Sequence, residues 1–437
     1  MQTRFDAGAL ADPAMATSES VIRKCVHCGF CTATCPTYVL LGDENDSPRG
    51  RIYLIKDMLE NQRKPGPETV KHVDRCLSCL ACMTTCPSGV NYMHLVDHAR
   101  AYIQEHHRRP WHERWVRSLL AAVLPYPGRM RLALELAPLG RPFVPLMQRI
   151  KALRPLAAMV SLAPARVPAP VLVQPERLAA PKGRVALLQG CAEPVLSPEV
   201  RAATVRLLER ARHEVVFAKG EGCCGALVHH MGREGDALEA ARRNVDAWMA
   251  EIEGKGLDAV IVTTSGCGTT IKDYGHMLRA DPAYAEKAAR VSALAMDVSE
   301  YLAKVGLPTA TPRGLTPRLT VAYHPPCSLQ HGQKVTEAPK RLLAEAGFTV
   351  RLPADAHLCC GSAGTYNILQ SEIAGQLGAR KAEQLSALEA DVIATGNVGC
   401  AVQIARHSGL PVVHTIELLD WATGGPKPAN LSHLPQE

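Results

Sequence analysis

The sequence lacks several features that would place the protein in other functional classes. It has no run of 18 or more uninterrupted apolar residues, which excludes a helix that crosses a bilayer. The first 20 residues lack the charged-then-apolar pattern of a secretory signal, and we expect them to form a flexible tail. No nucleotide or flavin fingerprint is present, and the glycine-rich residues 361–365 lack the lysine of a phosphate loop. We therefore expect no organic cofactor on this chain.

The chain also has little net charge for its length. Its 437 residues include 49 Lys and Arg against 42 Asp and Glu, which gives a formal charge of +7. So diffuse an excess does not indicate nucleic-acid binding, although it is compatible with an acidic partner or a membrane surface. The composition, 47% apolar and 21% charged, is that of a globular protein, and the length predicts two or three domains.

Cysteine is abundant, with 16 residues. Without a secretory signal this number indicates metal ligation rather than disulfides, because the cytosol keeps thiols reduced. Eight of the cysteines form one string twice, C-x2-C-x2-C-x3-C-P, at residues 25–36 and 76–87. Bacterial two-cluster ferredoxins hold [4Fe–4S] cubanes with this string. Zinc sites or buried free thiols are the alternative, but zinc motifs usually pair two C-x-x-C units across a longer gap.

In this pattern three cysteines of one string bind one cluster, and the fourth reaches the neighbouring cluster. The predicted ligands are Cys25, Cys28, Cys31 and Cys86 for the first cluster, and Cys76, Cys79, Cys82 and Cys35 for the second. Between the strings, Ser47 followed by Pro48 predicts the start of a capped helix. Arg49 and Arg51 on its first turn could lie beside a cluster and raise its potential, or could form a solvated face.

The segment after the second string is expected to be helical and then extended. A helix is predicted to begin near Asn91, and residues 111–124 and 130–139 have the pattern of short amphipathic helices with basic faces. Such helices could contact a membrane interface, but we favour a connector packed on its own domains or on a partner subunit. Residues 164–183 are rich in proline and predict a linker.

The C-terminal half contains a second doubled pattern of cysteines. The first group comprises Cys191, Cys223, Cys224 and Cys267, and the second comprises Cys327, Cys359, Cys360 and Cys400. Three of the four spacings between matching cysteines are 136 residues and the last is 133, which indicates an internal duplication. Each group follows strand-like runs that alternate with helices, so we expect two α/β units with parallel strands and with the thiols at one end of each unit. The thiols could hold a further iron–sulfur centre, act as redox thiols, or be a structural cluster.

Four histidines lie near the predicted strand ends: His324, His331, His357 and His414. Each could carry a proton or contact a quinone, but we interpret them as loop or core histidines with ordinary hydrogen bonds.

The predicted fold is a multidomain α+β and α/β chain, in which a helical bacterial-type ferredoxin domain for two [4Fe–4S] clusters precedes a duplicated α/β cysteine-rich unit. The expected divisions are a flexible tail over residues 1–20, the two-cluster domain over 21–105, a helical connector and linker over 106–183, the cysteine-rich units over 184–312 and 313–425, and a tail over 426–437.

Residues 25–38 and 47–54 closely resemble the iron–sulfur subunits of glycolate oxidase, also called glycolate dehydrogenase. The two Cys-Cys-Gly repeats resemble the cysteine-rich domain of heterodisulfide reductase and of the anaerobic glycerol-3-phosphate dehydrogenase small subunit, and the resemblance covers residues 20–422. In the heterodisulfide reductase relatives the third cysteine group is Cys-x-x-Cys. Here Cys267 and Cys400 lack that companion, which argues against a heterodisulfide-type noncubane cluster and leaves four thiolates for an ordinary one.

The resemblance implies an electron-transfer subunit. Partner subunits with FAD would oxidise glycolate to glyoxylate, and this chain would pass the electrons through two cubanes to a quinone or another membrane acceptor. It would lie in the cytoplasm, peripherally on the cytoplasmic face of the inner membrane, with no nucleic-acid partner. No catalytic residue is assigned. The alternatives are a subunit that serves glycerol 3-phosphate or lactate oxidation, a thiol–disulfide reductase that uses the Cys-Cys-Gly repeats, and a non-catalytic redox-sensing or assembly module.

Overall fold

The computed structural model describes residues 1–308 and 319–433. Residues 1–106 form a helical layer that carries the two cysteine strings. Its helices are α1 (Pro13–Lys24), α2 (Pro36–Leu41), α3 (Pro48–Glu60), α4 (Pro67–Asp74), α5 (Ala81–Thr85) and α6 (Tyr92–His106). Helix α3 starts as predicted, because the Ser47 hydroxyl accepts a hydrogen bond from the Gly50 N–H and Pro48 takes the first helical position. Gly50 is required there, since a Cβ would lie 2.1 Å from the Glu44 carbonyl oxygen.

The N-terminal residues are held against this layer, so the prediction of a flexible tail over residues 1–20 is wrong. Helix α1 is capped by Asp12, buries Met15 and Ser18, and packs on α6. The terminal amine donates to the Cys25 carbonyl oxygen at 2.6 Å. Apolar burial and a capped helix end together offset the entropy of ordering this segment.

The connector consists of four short helices. They are α7 (Trp111–Val123), α8 (Pro127–Gly140), α9 (Val144–Arg149) and α10 (Arg154–Leu162). The two predicted amphipathic helices are therefore present. Residues 163–182 form neither helix nor strand, as their proline content predicts. Throughout the part of the chain that the structure describes, no helix has the length and apolar character needed to cross a membrane.

The C-terminal half contains two α/β repeats. The elements of the first are β1 (Gly183–Leu187), α11 (Glu193–Leu196), α12 (Pro198–Arg210), β2 (His213–Val216), α13 (Ala226–His230), α14 (Glu234–Gly254), β3 (Ala259–Val262), α15 (Ser265–Lys272), α16 (Tyr274–Met277), α17 (Ala285–Leu294), β4 (Ala295–Asp297) and α18 (Val298–Val305). The elements of the second are β5 (Thr320–Tyr323), a π-helix (Ser328–Gly332), α19 (Ala338–Glu345), β6 (Thr349–Arg351), α20 (Tyr366–Leu369), α21 (Ser371–Ser386), β7 (Val392–Thr395), α22 (Val398–Ala405), β8 (Val412–His414) and α23 (Thr415–Ala422).

Each repeat has one parallel sheet with the same order of strands. The order is β2-β1-β3-β4 in the first repeat and β6-β5-β7-β8 in the second. Val185 of β1 pairs with Ala259, and Val321 of β5, 136 residues later, pairs with Val392. The central strands β3 and β7 are buried along their whole length, as expected for parallel sheets covered by helices. The matched registers agree with an internal duplication.

The two repeats share one apolar core. Helix α12 packs on α23, and α18 packs on α19. The buried carboxylate of Asp420 accepts hydrogen bonds at 2.5 Å from both Arg206 and Arg210 of the other repeat. Leu431, which lies in the predicted C-terminal tail, is fully buried in this core, so residues 426–433 are not a free tail. The expected boundary at residues 312 and 313, and residues 434–437, lie outside the described residues.

The helical layer contacts both repeats on the side where their cysteines lie. Helix α6 contacts α13 of the first repeat, while α5 contacts the π-helix and α2 contacts α21 of the second. None of the 16 cysteines forms a disulfide. Those of the second repeat adjoin the helical layer, where Cys359 and Cys327 pack with Cys79.

Candidate metal centres

The two cysteine strings adopt the same unusual backbone. Positive φ angles occur at His27 and Gly29 in the first string and at the matching Ser78 and Leu80 in the second, with values of 57°, 86°, 50° and 63°. These left-handed residues turn the string after each of its first two cysteines, so that successive thiols can face one point. Leu80 is a bulky residue in this conformation, which persists only where packing holds it, and its side chain is buried.

The four predicted ligands of the first cluster surround one cavity. It is lined by Cys25, Cys28, Cys31 and Cys86, and Cys82 of the other set also borders it. Cys28 is exposed, so this cavity reaches the surface of the protein. Burial raises the pKa of the Cys31 thiol to about 11.

The four predicted ligands of the second cluster surround a neighbouring cavity. They are Cys35, Cys76, Cys79 and Cys82, and all four are buried. Burial raises the pKa of Cys79 and Cys82, so thiolates there need a positive counter-charge such as iron ions supply. Two adjacent cavities, each with four sulfur atoms, fit two [4Fe–4S] clusters by donor chemistry.

Arg51 lies beside the second cavity. Its side chain is 1% exposed, and its Nη1 lies 3.8 Å from the Cys35 Sγ. The guanidinium also donates to the carboxylate of Asp46 and to the hydroxyl of Thr37. Arg49, by contrast, is partly exposed and pairs with Glu44 at the edge of the first cavity. Arg51 is therefore a buried cation that offsets thiolate charge, one of the factors that set cluster potentials.

The four cysteines of the first repeat meet at the carboxyl ends of its strands. Cys223 has Cys191 and Cys224 as neighbours, and Cys224 is also a neighbour of Cys267. The pKa of Cys223 is lowered because the thiols of Cys191 and Cys224 donate to its sulfur, and the pKa of those two is raised in turn. We call this group the first quartet.

The cysteines of the second repeat form a second quartet of Cys327, Cys359, Cys360 and Cys400. The Sγ atoms of Cys327 and Cys359 lie 3.6 Å apart. His324 adds to this group, because one donor atom each of His324, Cys360 and Cys400 lies within 4.8 Å of the others. All three residues are buried.

The glycine after each cysteine pair allows a close approach between chain segments. Gly225 and Gly361 have φ of 87° and 88°. A Cβ would lie 3.1 Å from the Ala237 carbonyl oxygen in the first repeat and 2.7 Å from that of Ala374 in the second. The tight turn explains why glycine follows both cysteine pairs.

The interpretation of the four histidines is wrong for His324. His331 and His414 have hydrogen bonds within the protein: the ring of His331 bonds Thr84, and that of His414 bonds the Thr263 carbonyl oxygen. Neither ring nitrogen of His324 has a partner among the described residues. The sequence signal was its position three residues before Cys327, where the first repeat has Leu188.

The second quartet adjoins the helical layer. Cys79 and Cys359 belong to one buried apolar cluster, against which Cys327 packs. Burial, and then the neighbouring Cys327 sulfur, raise the pKa of Cys79. Leu80 reaches the π-helix that follows Cys327, where a Cβ on Gly332 would lie 3.3 Å from it. Among described residues, the apolar cluster that contains Cys224 of the first quartet includes none of the eight string cysteines.

Comparison with known families matches both parts of the chain. A 4Fe–4S dicluster domain matches residues 24–90, and a cysteine-rich domain matches residues 185–272 and 321–405. The predicted fold class, a two-cluster ferredoxin domain followed by two cysteine-rich units, is therefore confirmed. The comparison also confirms the prediction of two [4Fe–4S] clusters as cofactors of this domain.

Similar whole proteins are found among curated sequences. The chain is 42% identical to the glycolate oxidase iron–sulfur subunit of Escherichia coli (strain K12), over 97% of this chain and 99% of that protein. It is 31% identical to the probable glycolate oxidase iron–sulfur subunit of Bacillus subtilis (strain 168), over 93% and 95%. Lactate utilization protein A of Bacillus licheniformis is 29% identical, over 54% of this chain and 99% of that protein.

A solved structure resembles the fold alone. It is a hypothetical protein from Helicobacter pylori, which superposes with a TM-score of 0.55 at 10% identity and covers 96% of this chain and 74% of that one.

Proposed function

This chain belongs to the family of glycolate oxidase iron–sulfur subunits, and on that premise we propose that it transfers electrons from partner subunits that oxidise glycolate to glyoxylate on FAD. The acceptor in this proposal is a quinone or another membrane acceptor. Membership of the family makes the chain a subunit of an oxidoreductase complex, with an electron-transfer role implied.

The observation that carries this proposal is the arrangement of the cysteines. Two cavities with four sulfur atoms each lie side by side, one reaching the surface at Cys28 and the other adjoining the second quartet at Cys79. Clusters held there would supply one-electron chemistry, which suits a link between a two-electron flavin and a membrane acceptor. The proposed ligands are the two predicted sets of four cysteines.

The exposure of the cysteines suggests a direction for electron transfer through the chain. We propose that the partner subunit docks where Cys28 is exposed and that the buried Cys79 faces the next redox group. The quartets are proposed to hold a further iron–sulfur centre, since four thiols gathered in one buried place have the donor chemistry for one. Arg51 is proposed to raise the potential at the second cavity by its buried positive charge.

Substrate oxidation by the complex tests the proposal. The complex with its partner subunits would be purified without oxygen, and the visible absorbance of its clusters followed after addition of glycolate, lactate or glycerol 3-phosphate. We expect glycolate to bleach the absorbance. Bleaching by lactate alone would show that the partner subunits oxidise lactate instead. Lactate oxidation is the second candidate because the chain partly matches the lactate utilization proteins.

The alternative of a thiol–disulfide reductase has its own test. Cys223→Ser and Cys359→Ser each remove one thiol of a quartet and none of the eight string cysteines. A reductase would lose turnover of a disulfide substrate in both variants. The electron-transfer proposal expects no disulfide turnover in the unmodified complex.

A surface for membrane contact is proposed on the connector. Residues 107–166 contain 11 Lys and Arg against 2 Asp and Glu. The same segment exposes large apolar side chains, among them Trp111 at 73%, which is typical of helices that bind an anionic interface. The exposed apolar side chains of this surface are Trp111, Trp115, Leu132, Leu136, Leu139, Phe143, Leu146 and Ile150. We propose that this surface attaches the chain peripherally to the cytoplasmic face of the inner membrane.

Vesicle binding tests the proposed surface. The chain is expected to sediment with vesicles that contain phosphatidylglycerol and less with pure phosphatidylcholine, because the surface is basic. Trp111→Ser combined with Trp115→Ser should weaken binding. Tyr53→Ser removes an equally exposed ring, 61%, outside the surface and serves as the matched control. Failure of the unmodified chain to bind vesicles, with normal complex formation, would assign the surface to a partner subunit instead.

A further inference from the structure

His324 has the placement of a metal ligand. Its side chain is 1% exposed. Its backbone N–H donates to the Ala394 carbonyl oxygen at 2.9 Å, which fixes the residue at the end of β5. One of its ring nitrogens lies within 4.8 Å of the sulfur atoms of both Cys360 and Cys400. The ring therefore belongs spatially to the second quartet.

Both ring nitrogens of His324 are without a hydrogen-bond partner among the described residues. A buried polar group without a partner costs free energy, and a neutral imidazole always has one nitrogen that can accept a proton or bind a metal. The other buried histidines of this repeat, His331 and His414, have protein partners. Of these three buried histidines of the second repeat, only His324 lacks a partner within the described part of the chain, which points to a ligand at this position.

The first quartet offers no such nitrogen. The sheet registers place Leu188 where the second repeat has His324, since Val185 corresponds to Val321 at the same separation of 136 residues. Leu188 is packed in the apolar core of its repeat. The first quartet therefore offers four sulfur atoms, whereas the second offers four sulfur atoms and an imidazole.

We propose that the second quartet is a mixed imidazole–thiolate metal site in which His324 is a direct ligand of iron, together with Cys360 and Cys400. This inference rests on the proposed iron–sulfur centre in the quartet and adds the identity of one ligand. Imidazole and thiolate together are established ligands of iron–sulfur centres, and a neutral imidazole in place of a thiolate raises the potential. With the imidazole in the place of one quartet thiolate at the centre, the second centre has a higher potential than an all-thiolate centre in the first quartet would have.

Pulsed EPR spectroscopy of the unmodified protein gives the first test. The complete chain, reconstituted with iron and sulfide and reduced, would be prepared with histidine labelled by nitrogen-15. We expect one centre to show hyperfine coupling to a histidine nitrogen that changes with the label. A third centre without any such coupling would overturn the ligand role of His324. Two cubane signals with no third centre would refute the proposed centre itself, which is a separate outcome.

A pair of variants gives the second test. His324→Leu copies the residue of the first repeat and should abolish the nitrogen coupling while the two cubane signals remain. His414→Gln is the matched control, because that buried imidazole already has protein partners, and it should retain the coupling. A coupling that survives in His324→Leu would overturn the proposal. His324→Cys should restore a centre, without nitrogen coupling and with a lower potential than the unmodified one, whereas a purely structural role predicts no change in potential.

Discussion

Three residues before its leading cysteine, the first repeat has Leu188 and the second has His324. The buried helix position beside the cysteine pair also differs: Asn244 in the first repeat bonds the Cys223 carbonyl oxygen, and Lys381 in the second bonds Asp355. Gly225 contacts Ala237 in the first repeat as Gly361 contacts Ala374 in the second. Asn244 and Lys381 each lie seven residues after that alanine, so the two positions correspond. The backbone of the duplicated unit is thus common to both repeats, whereas the charge and the donor groups around the thiols differ.

The contacts of the two repeats with the helical layer differ as well. The second repeat meets it through Cys79, Leu80 and the π-helix, next to its own thiols. The first repeat meets it through His229 and His230, which lie beside Asp97. Duplication thus supplied two groups of thiols, of which the second adjoins the ferredoxin-type cysteines at Cys79.

The largest expected difference between the repeats is in electron transfer. Cys360→Ser should lower glycolate-dependent quinone reduction by the complex about 100-fold, equivalent to about 2.7 kcal/mol. Cys224→Ser, its counterpart, should have a much smaller effect because its quartet does not adjoin Cys79. Dye reduction at the flavin subunit is the control and should be unchanged in both variants. Equal losses in the two variants would contradict the proposed asymmetry.

Lys381→Asn should convert one feature of the second repeat into that of the first. Its ammonium group is buried and donates to the carboxylate of Asp355 at 2.8 Å. Losing it should lower the free energy of unfolding by about 2 kcal/mol, since Asp355 would keep only Arg380 as a charged partner. Urea denaturation followed by tryptophan fluorescence measures this. The double variant Lys381→Asn, Asp355→Asn should recover part of the lost free energy of unfolding. If it recovers none, the loss does not come from the Lys381–Asp355 ion pair.

The glycines after the cysteine pairs allow a smaller, graded comparison. Gly361→Ala should destabilise the chain by about 1 kcal/mol more than Gly225→Ala, because both have positive φ but the second repeat is tighter. The Cβ distances to the facing carbonyl oxygens are 2.7 Å and 3.1 Å. Thermal denaturation of the two variants side by side checks the order. The reverse order would mean that the backbone around Gly361 relaxes to admit a Cβ more readily than the backbone around Gly225.

A further expected difference between the repeats concerns the pH dependence of stability. Burial lowers the pKa of His230 from 6.5 to about 4, and Arg100 and His229 lower it further while Asp97 opposes them. Between pH 6.5 and pH 4 the unfolded chain therefore binds a proton that the folded chain does not. Stability should fall with falling pH in this window by at most about 1.4 kcal/mol per pH unit.

His230→Gln should flatten that dependence, measured as urea midpoints at pH 6 and pH 5. Tyr366, six residues after the cysteine pair of the second repeat as His230 is in the first, donates its hydroxyl to the Arg75 carbonyl oxygen and carries no charge in this range. Tyr366→Phe should leave the slope unchanged. A slope that persists in His230→Gln would locate the titration elsewhere.

Much of the fold follows from local patterns in the sequence. Repeated cysteine spacing, short apolar runs and the Ser47–Pro48 cap are local features, and they predicted the helical layer, the duplication and the parallel strands that precede the cysteine groups. The edge strands β4 and β8 were not predicted, because neither precedes a cysteine group, the feature that marked the other strands. The packing of residues 1–20 was missed because it depends on contacts with α6, far along the chain.

The candidate sites were predictable as groups of cysteines and less so in their surroundings. The two sets of four string cysteines line the cavities that their spacing suggests, although their role as ligands remains a proposal. The burial of Arg51 and the missing partners of His324 are tertiary properties. No local pattern distinguishes a core histidine that has a hydrogen bond from one that lacks it, so such residues need the structure.

Freeze-quenched EPR spectroscopy of the complete complex tests the proposed path most directly. The complex would be mixed with glycolate without oxygen and frozen at times within the first turnover. We predict that the signals of the two cubanes and of a centre coupled to a histidine nitrogen appear before any signal from the first quartet. Reduction of the cubanes with the second quartet silent, or reduction of the first quartet ahead of the second, would contradict the path from the string cysteines through Cys79 to the second repeat.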